Sequence, residues 1–90
     1  MNPREPGTDD SATLGEDACW HLDLRGLAPP QPMLRILRHL EQRGADGRPL
    51  VVRLEREPVM LYPELAERGW EAEIVDGAPD EVRVHLRPTR

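Results

Sequence analysis

The 90-residue chain predicts an α/β protein: an α+β two-layer sandwich of order βαβαββ, with two helices on one face of a four-stranded mixed sheet. Three observations lead there. Four short segments carry the alternation or β-branched run of strands, and two stretches between them carry helical spacing. A full helix separates the first two strands, so these lie parallel through a right-handed crossover. The length suits one domain.

The first strand is Ala18 to Leu24, where Trp20, Leu22 and Leu24 fall on one face and Cys19, His21 and Asp23 on the other. Helix one begins around Pro30 to Pro32, because the first helical turn has amide protons without intrahelical partners and proline lacks one anyway. Met33, Ile36, Leu37 and Leu40 recur at i, i+3, i+4 and i+7 as one buried stripe, with Gly44 as the stop. The run Leu50 to Leu54 reads as the second strand. Pro58 and Pro63 confine the second helix to Tyr62 to Arg68, closed by Gly69. Strands over Trp70 to Val75 and Glu81 to Arg87 complete the sheet, and in the last Val82, Val84 and Leu86 alternate with Arg83, His85 and Arg87.

Charge divides the chain. The first seventeen residues hold one Arg against five acids and no apolar cluster, which predicts a disordered acidic tail over 1–17 ahead of a single domain over 18–90. The remainder is near neutral, with eleven arginines against twelve acids. That balance, with only Trp20, Tyr62 and Trp70 as aromatics, excludes the basic excess and stacking platforms of a nucleic-acid binder. No run approaches the ~20 apolar residues of a membrane span and no secretory signal is visible, so the expectation is a cytoplasmic monomer. A lone cysteine, Cys19, leaves stability to packing.

The stretch LDLRGLAPPQP, residues 22–32, resembles the opening of the TusA/SirA-like superfamily, L-D-x-x-G-L-x-C-P-x-P followed by a helix. Leu22, Asp23, Gly26, Leu27, Pro30 and Pro32 match. The later EPVMLYPELAERGW is similar to an uncharacterised branch, domain of unknown function 2249, whose members carry R-G-L-x-P-P-x-P and H-E-P-x-P-L-Y-P-x-L-x-x-R-G. The likeness runs from about Leu22 to Leu86 and implies the same βαβαββ fold, with a working edge at the N-terminus of helix one. Sulfur carriers of the superfamily hold a persulfide on a cysteine there, where helix amides stabilise a thiolate. Here that position is Pro29, which has no nucleophilic atom, and the branch's usual His before Glu-Pro is Arg56. Bacterial redox, sulfur or respiratory nitrogen metabolism is the setting the resemblance suggests.

The edge supplies the candidate site. Ends of parallel strands one and two are neighbours, so Asp23, Arg25, Pro29, Pro30, Glu57 and Tyr62 are expected to gather at their carboxyl edge, as a binding site for a protein partner or a small anionic ligand. Arg25 and Glu57 also read as a plain loop ion pair. Arg35 and Arg38, with His39 and Gln42, are placed on the outer face of helix one as a docking face. The expected function is a non-enzymatic binding or accessory module that needs no cofactor. Two alternatives remain: sulfur transfer through Cys19, although that residue lies at the far end of the first strand, up to roughly 20 Å from the edge, or metal binding through Cys19 and His21.

Overall fold

The structure is a computed structural model and describes residues 12–75 and 79–89. Its elements are β1 (Thr13–Leu14), β2 (Trp20–Asp23), α1 (Gln31–Arg43), a 3-10 turn (Gly44–Asp46), β3 (Leu50–Leu54), α2 (Leu61–Glu67), β4 (Trp70–Val75) and β5 (Val82–Pro88). The strands form one mixed sheet in the order β1-β2-β3-β5-β4. Strands β2 and β3 run parallel, Leu22 opposite Val52, as the intervening helix requires, and the other pairings are antiparallel.

The sheet therefore has five strands, not the expected four. The addition is β1, whose Thr13 and Leu14 pair with His21 and Trp20 inside the stretch expected as a tail over 1–17; residues 1–11 of that stretch lie outside the described residues. Two residues are too short to show any periodicity, which is why composition alone assigns them to a tail. The hairpin is tight. Gly15 and Cys19 join through a 2.9 Å backbone bond, Ala18 takes a left-handed φ of 67°, and the Asp17 carboxylate accepts from the Cys19 amide at 3.0 Å.

Central strand β3 alternates as its sequence predicts: Leu50, Val52 and Leu54 are buried while Val51 and Arg53 turn to the other face. Leu22 and Leu24, Val84 and Leu86, then Ile36 and Leu40 of α1 and Leu61 and Leu65 of α2 complete one cluster. A single core built from one sheet face and both helices puts the helices on the same side. Burying each of these aliphatic side chains contributes about 1.5–3 kcal/mol, the main stabilising term in a small domain with no disulfide.

Helix α1 departs from the expected pattern at two places. His39 is 3 % exposed instead of lying on the outer face. It follows Ile36 by three residues, about 60° around the helix, and so flanks the apolar stripe. There its ring meets the Trp20 ring edge to face, centroids 5.7 Å apart. Gly44 does not end the helix by a left-handed turn, since its φ is −68°. The 3-10 turn continues to Gly47, φ 73°, where the chain reverses. What Gly44 supplies is room: a Cβ there would stand 3.3 Å from the Trp70 ring. Trp20 fastens this end of α1 to the sheet, donating its indole N–H to Asp46 (3.3 Å) beneath the Arg43 guanidinium at 4.7 Å.

Candidate functional site

Strands β2 and β3 end side by side, and the chain leaves each into a proline-rich loop. After β2 comes Gly26, in the left-handed region at φ 90°, then Leu27 to Pro30 and the first turn of α1. After β3 comes Glu55 to Met60, leading into α2. Between the two loops lies a groove of about 770 Å³, floored by Leu24, Leu54 and Leu61 and walled by Leu27, Met33 and four prolines, Pro29, Pro30, Pro32 and Pro58. Apolar side chains stand on its rim without cover: Met60 is 76 % exposed and Val59 59 %. The polar lining side chains are those of Glu55, Arg56 and Glu57. Glu55 reaches across to accept the Gly26 amide at 3.0 Å, which ties the two loops together. Glu57 accepts the Tyr62 hydroxyl at 2.9 Å, and burial, with that carboxylate beside it, raises the phenol pKa above its usual range.

The structure thus divides the residues singled out in the sequence among three places. Pro29, Pro30 and Glu57 line the groove, and Tyr62 holds Glu57 at its rim. Asp23 and Arg25 turn instead to the open face of the sheet. Arg25 grips Asp23 with a two-pronged contact, Nε to Oδ1 at 2.9 Å and Nη2 to Oδ2 at 2.8 Å, and reaches Glu81 at 3.3 Å. The loop pair of Arg25 with Glu57 that the spacing suggested is replaced by these contacts. Arg35 and Arg38 border a separate, shallow depression with Gln31 and Leu34 on the helix.

Glu81 carries a constellation that residue spacing did not reveal. Its side chain is wholly covered, and three guanidiniums cover it: Arg25 from the turn after β2, Arg53 from β3 (3.3 Å) and Arg83 from β5 (2.9 Å). Burial alone pushes the Glu81 pKa up, but the hydrogen bonds and charges of Arg83 and Arg53 outweigh it and hold the carboxyl below its ordinary value. The alternation of β5 places Arg83 on the open face, and the register that brings it beside Arg53 and Asp23 is the missing information.

Asp23 gives the cluster a signature in acid. The Arg25 hydrogen bonds, then the Arg25 and Arg53 charges, hold its carboxyl at about 2, against a partial desolvation that opposes them. A depressed folded-state pKa stabilises the fold fully above the unfolded value near 4 and loses that contribution as pH falls toward 2. Asp23 is half exposed, so solvent screening leaves roughly 1 kcal/mol of this. Asp23→Asn should lower stability by that amount at pH 7 and by almost nothing at pH 2, read from urea unfolding at the two pH values. An equal loss at both would assign the effect to geometry instead of charge.

Cys19 lies at the opposite end of β2 from the groove. Partial burial, then the Asp17 carboxylate, raises its thiol pKa, which disfavours the nucleophilic thiolate. His21 contacts both Asp17 oxygens at 3.2 Å. Among the described residues, no three His, Cys, Asp or Glu side chains group as a metal site requires. No helix among them is long and apolar enough to cross a membrane.

Fold and groove together define a small α+β module with an apolar groove at the shared carboxyl edge of two parallel strands. The chain belongs to the family described as Uncharacterized conserved protein (DUF2249), whose model matches residues 21–88. A search of curated proteins finds no match.

Proposed function

We propose that the protein is a non-enzymatic accessory module that docks a protein partner in the groove between Leu27 to Met33 and Glu55 to Met60. The observation that carries this reading is the groove itself: uncovered Met60 and Val59 above an apolar floor, with walls stiffened by four prolines. Stiff walls lower the ordering cost of binding. Exposed apolar side chains at a concave edge are the residues whose burial drives association. Among the described residues the lining holds no Cys, Ser, Thr, His or Lys; its ionisable side chains are Glu55, Arg56 and Glu57, and both carboxylates already accept a hydrogen bond, from the Gly26 amide and the Tyr62 hydroxyl. Of the two ligand classes expected at this edge, a small anion is the less suited. Arg25, the guanidinium that favoured it, is engaged by Asp23 and Glu81 away from the groove.

The likeness of residues 22–32 to the TusA/SirA-like superfamily supports the same reading from a second side, because Pro29 stands where sulfur carriers keep their cysteine. In this reading the module keeps the scaffold's docking edge without its chemistry. It works as a cytoplasmic monomer, in bacterial redox, sulfur or nitrogen metabolism.

The test begins with a photo-crosslinking residue placed at Val59 or, as control, at Arg87 on the open sheet face. A protein captured only from position 59 is identified by mass spectrometry, purified and titrated against the full chain. Met60→Asp should weaken its binding by roughly tenfold or more, and Arg87→Gln should leave it within about twofold. Capture from Arg87 alone, or affinity indifferent to Met60→Asp, would remove the groove from the account.

A further inference from the structure

The groove's backbone argues for the conformation of what it holds. An extended peptide binds by exchanging main-chain hydrogen bonds with its site, and more than half of the groove's sixteen lining positions have no N–H to give. Pro29, Pro30, Pro32 and Pro58 have no N–H. Five more lining positions have already donated theirs: Leu24 to the Arg53 carbonyl, Gly26 to Glu55, Leu27 to Leu24, Val59 to Glu57 and Leu61 to Pro58. A strand laid here would find no donor at nine of the sixteen lining positions, and each of its carbonyls left desolvated and unmatched there is costly. A helix satisfies its main chain internally and needs only a place for its side chains.

Charge selects further. Glu55 and Glu57 stand on the rim, each with one oxygen engaged by a neutral donor, the Gly26 amide or the Tyr62 hydroxyl. Among the described residues neither is paired with a cation, and Arg56 is the one guanidinium in the lining. The rim is therefore net negative, and it sits beside the apolar floor.

From these observations, and resting on the docking reading above, we infer that the groove receives the apolar stripe of an amphipathic α-helix of a partner protein, with Lys or Arg flanking that stripe opposite Glu55 and Glu57. Its volume, that of a drug-sized site, takes a short row of side chains at helical spacing. Met33 and Met60, unbranched and adaptable, suit such a row without demanding one shape.

The test uses the isotope-labelled full chain and four synthetic peptides of about 18 residues, long enough for an isolated helix. They are a Leu/Lys peptide with leucines at i, i+3, i+4 and i+7; the same with Glu for every Lys; the same with a central Pro; and a strictly alternating Leu/Lys peptide. Titration followed by amide chemical shifts should show the first binding at least about tenfold tighter than the others, with shifts at Leu27, Met33 and Glu55 to Met60. Glu55→Gln with Glu57→Gln should erase the preference for Lys over Glu. If the alternating or Pro-broken peptide binds the groove equally well, helix recognition is wrong while docking survives. Equal shifts from a neutral detergent micelle would make the occupant a lipid chain and overturn the inference. Should no peptide move the groove resonances while a crosslinked partner does, the helix falls alone; should neither do so, both readings fall together.

Discussion

Glu81→Gln is expected to lower the Tm by about 10 °C or more at low salt. The carboxylate has no exposed surface, and three guanidiniums, each about two-fifths exposed, converge on it from β3, β5 and the turn after β2. Removing one partner of a buried ionic cluster costs far more than the pair ever contributed, because the remaining charges stay in place unneutralised. Here three like charges would face one another across the open side of the sheet, with Asp23 the nearest remaining anion. Two controls separate this from loss of packing. Salt should narrow the deficit, since repulsion between exposed groups is screened. Arg83→Gln in the Glu81→Gln background should recover part of the Tm, whereas independent effects would simply add. A fall of less than about 2 °C would mean the arginines relax into solvent and the cluster is ornamental to stability.

The cluster also marks where sequence reasoning stops. Periodicity located β3 and β4 to the residue and both helices within one or two, because those signals are local and each apolar stripe is long enough to read. The two proline-rich loops were legible as well, since prolines act on their own neighbours in the chain, but not the groove between them. What escaped it depends on register. Residues 25, 53, 81 and 83 meet only after β2, β3 and β5 pair in one particular alignment, and alternation gives each residue's face without its position along the neighbouring strand. The same limit misdirected Arg25. Its place after β2 is legible, but its turn to the open face is held by Asp23 together with Glu81, fifty-six residues away. His39 failed for a different reason: polarity argued for solvent, whereas a flanking position one turn from Ile36 and the nearby Trp20 ring made burial of a polar ring tolerable.

A thiol installed at the groove, Pro29→Cys in a Cys19→Ser background, is expected to react with iodoacetamide at pH 7 several-fold to about tenfold faster than Cys19 does in the unaltered chain. Position 29 precedes the thirteen-residue helix α1, whose dipole favours a negative sulfur. The activation should be moderate. Pro32 has no amide, Gln31 already donates to Ala28 at 2.9 Å and Leu34 to Pro30 at 3.1 Å, so few free donors remain for a thiolate. Cys19, with partial burial and Asp17 both opposing ionisation, holds less thiolate than the few per cent of an ordinary cysteine at pH 7. The lower pKa at position 29 also makes the sulfur intrinsically less nucleophilic, which trims the gain to the range given. Faster alkylation at position 29 would mean that the edge keeps the electrostatics of a nucleophile's seat and differs from one by a single side chain. A rate equal to or below that of Cys19 would mean that desolvation by the apolar walls outweighs the helix terminus. In that case the apolar lining opposes a charged sulfur, as it would favour the apolar side chains that the proposed docking places there.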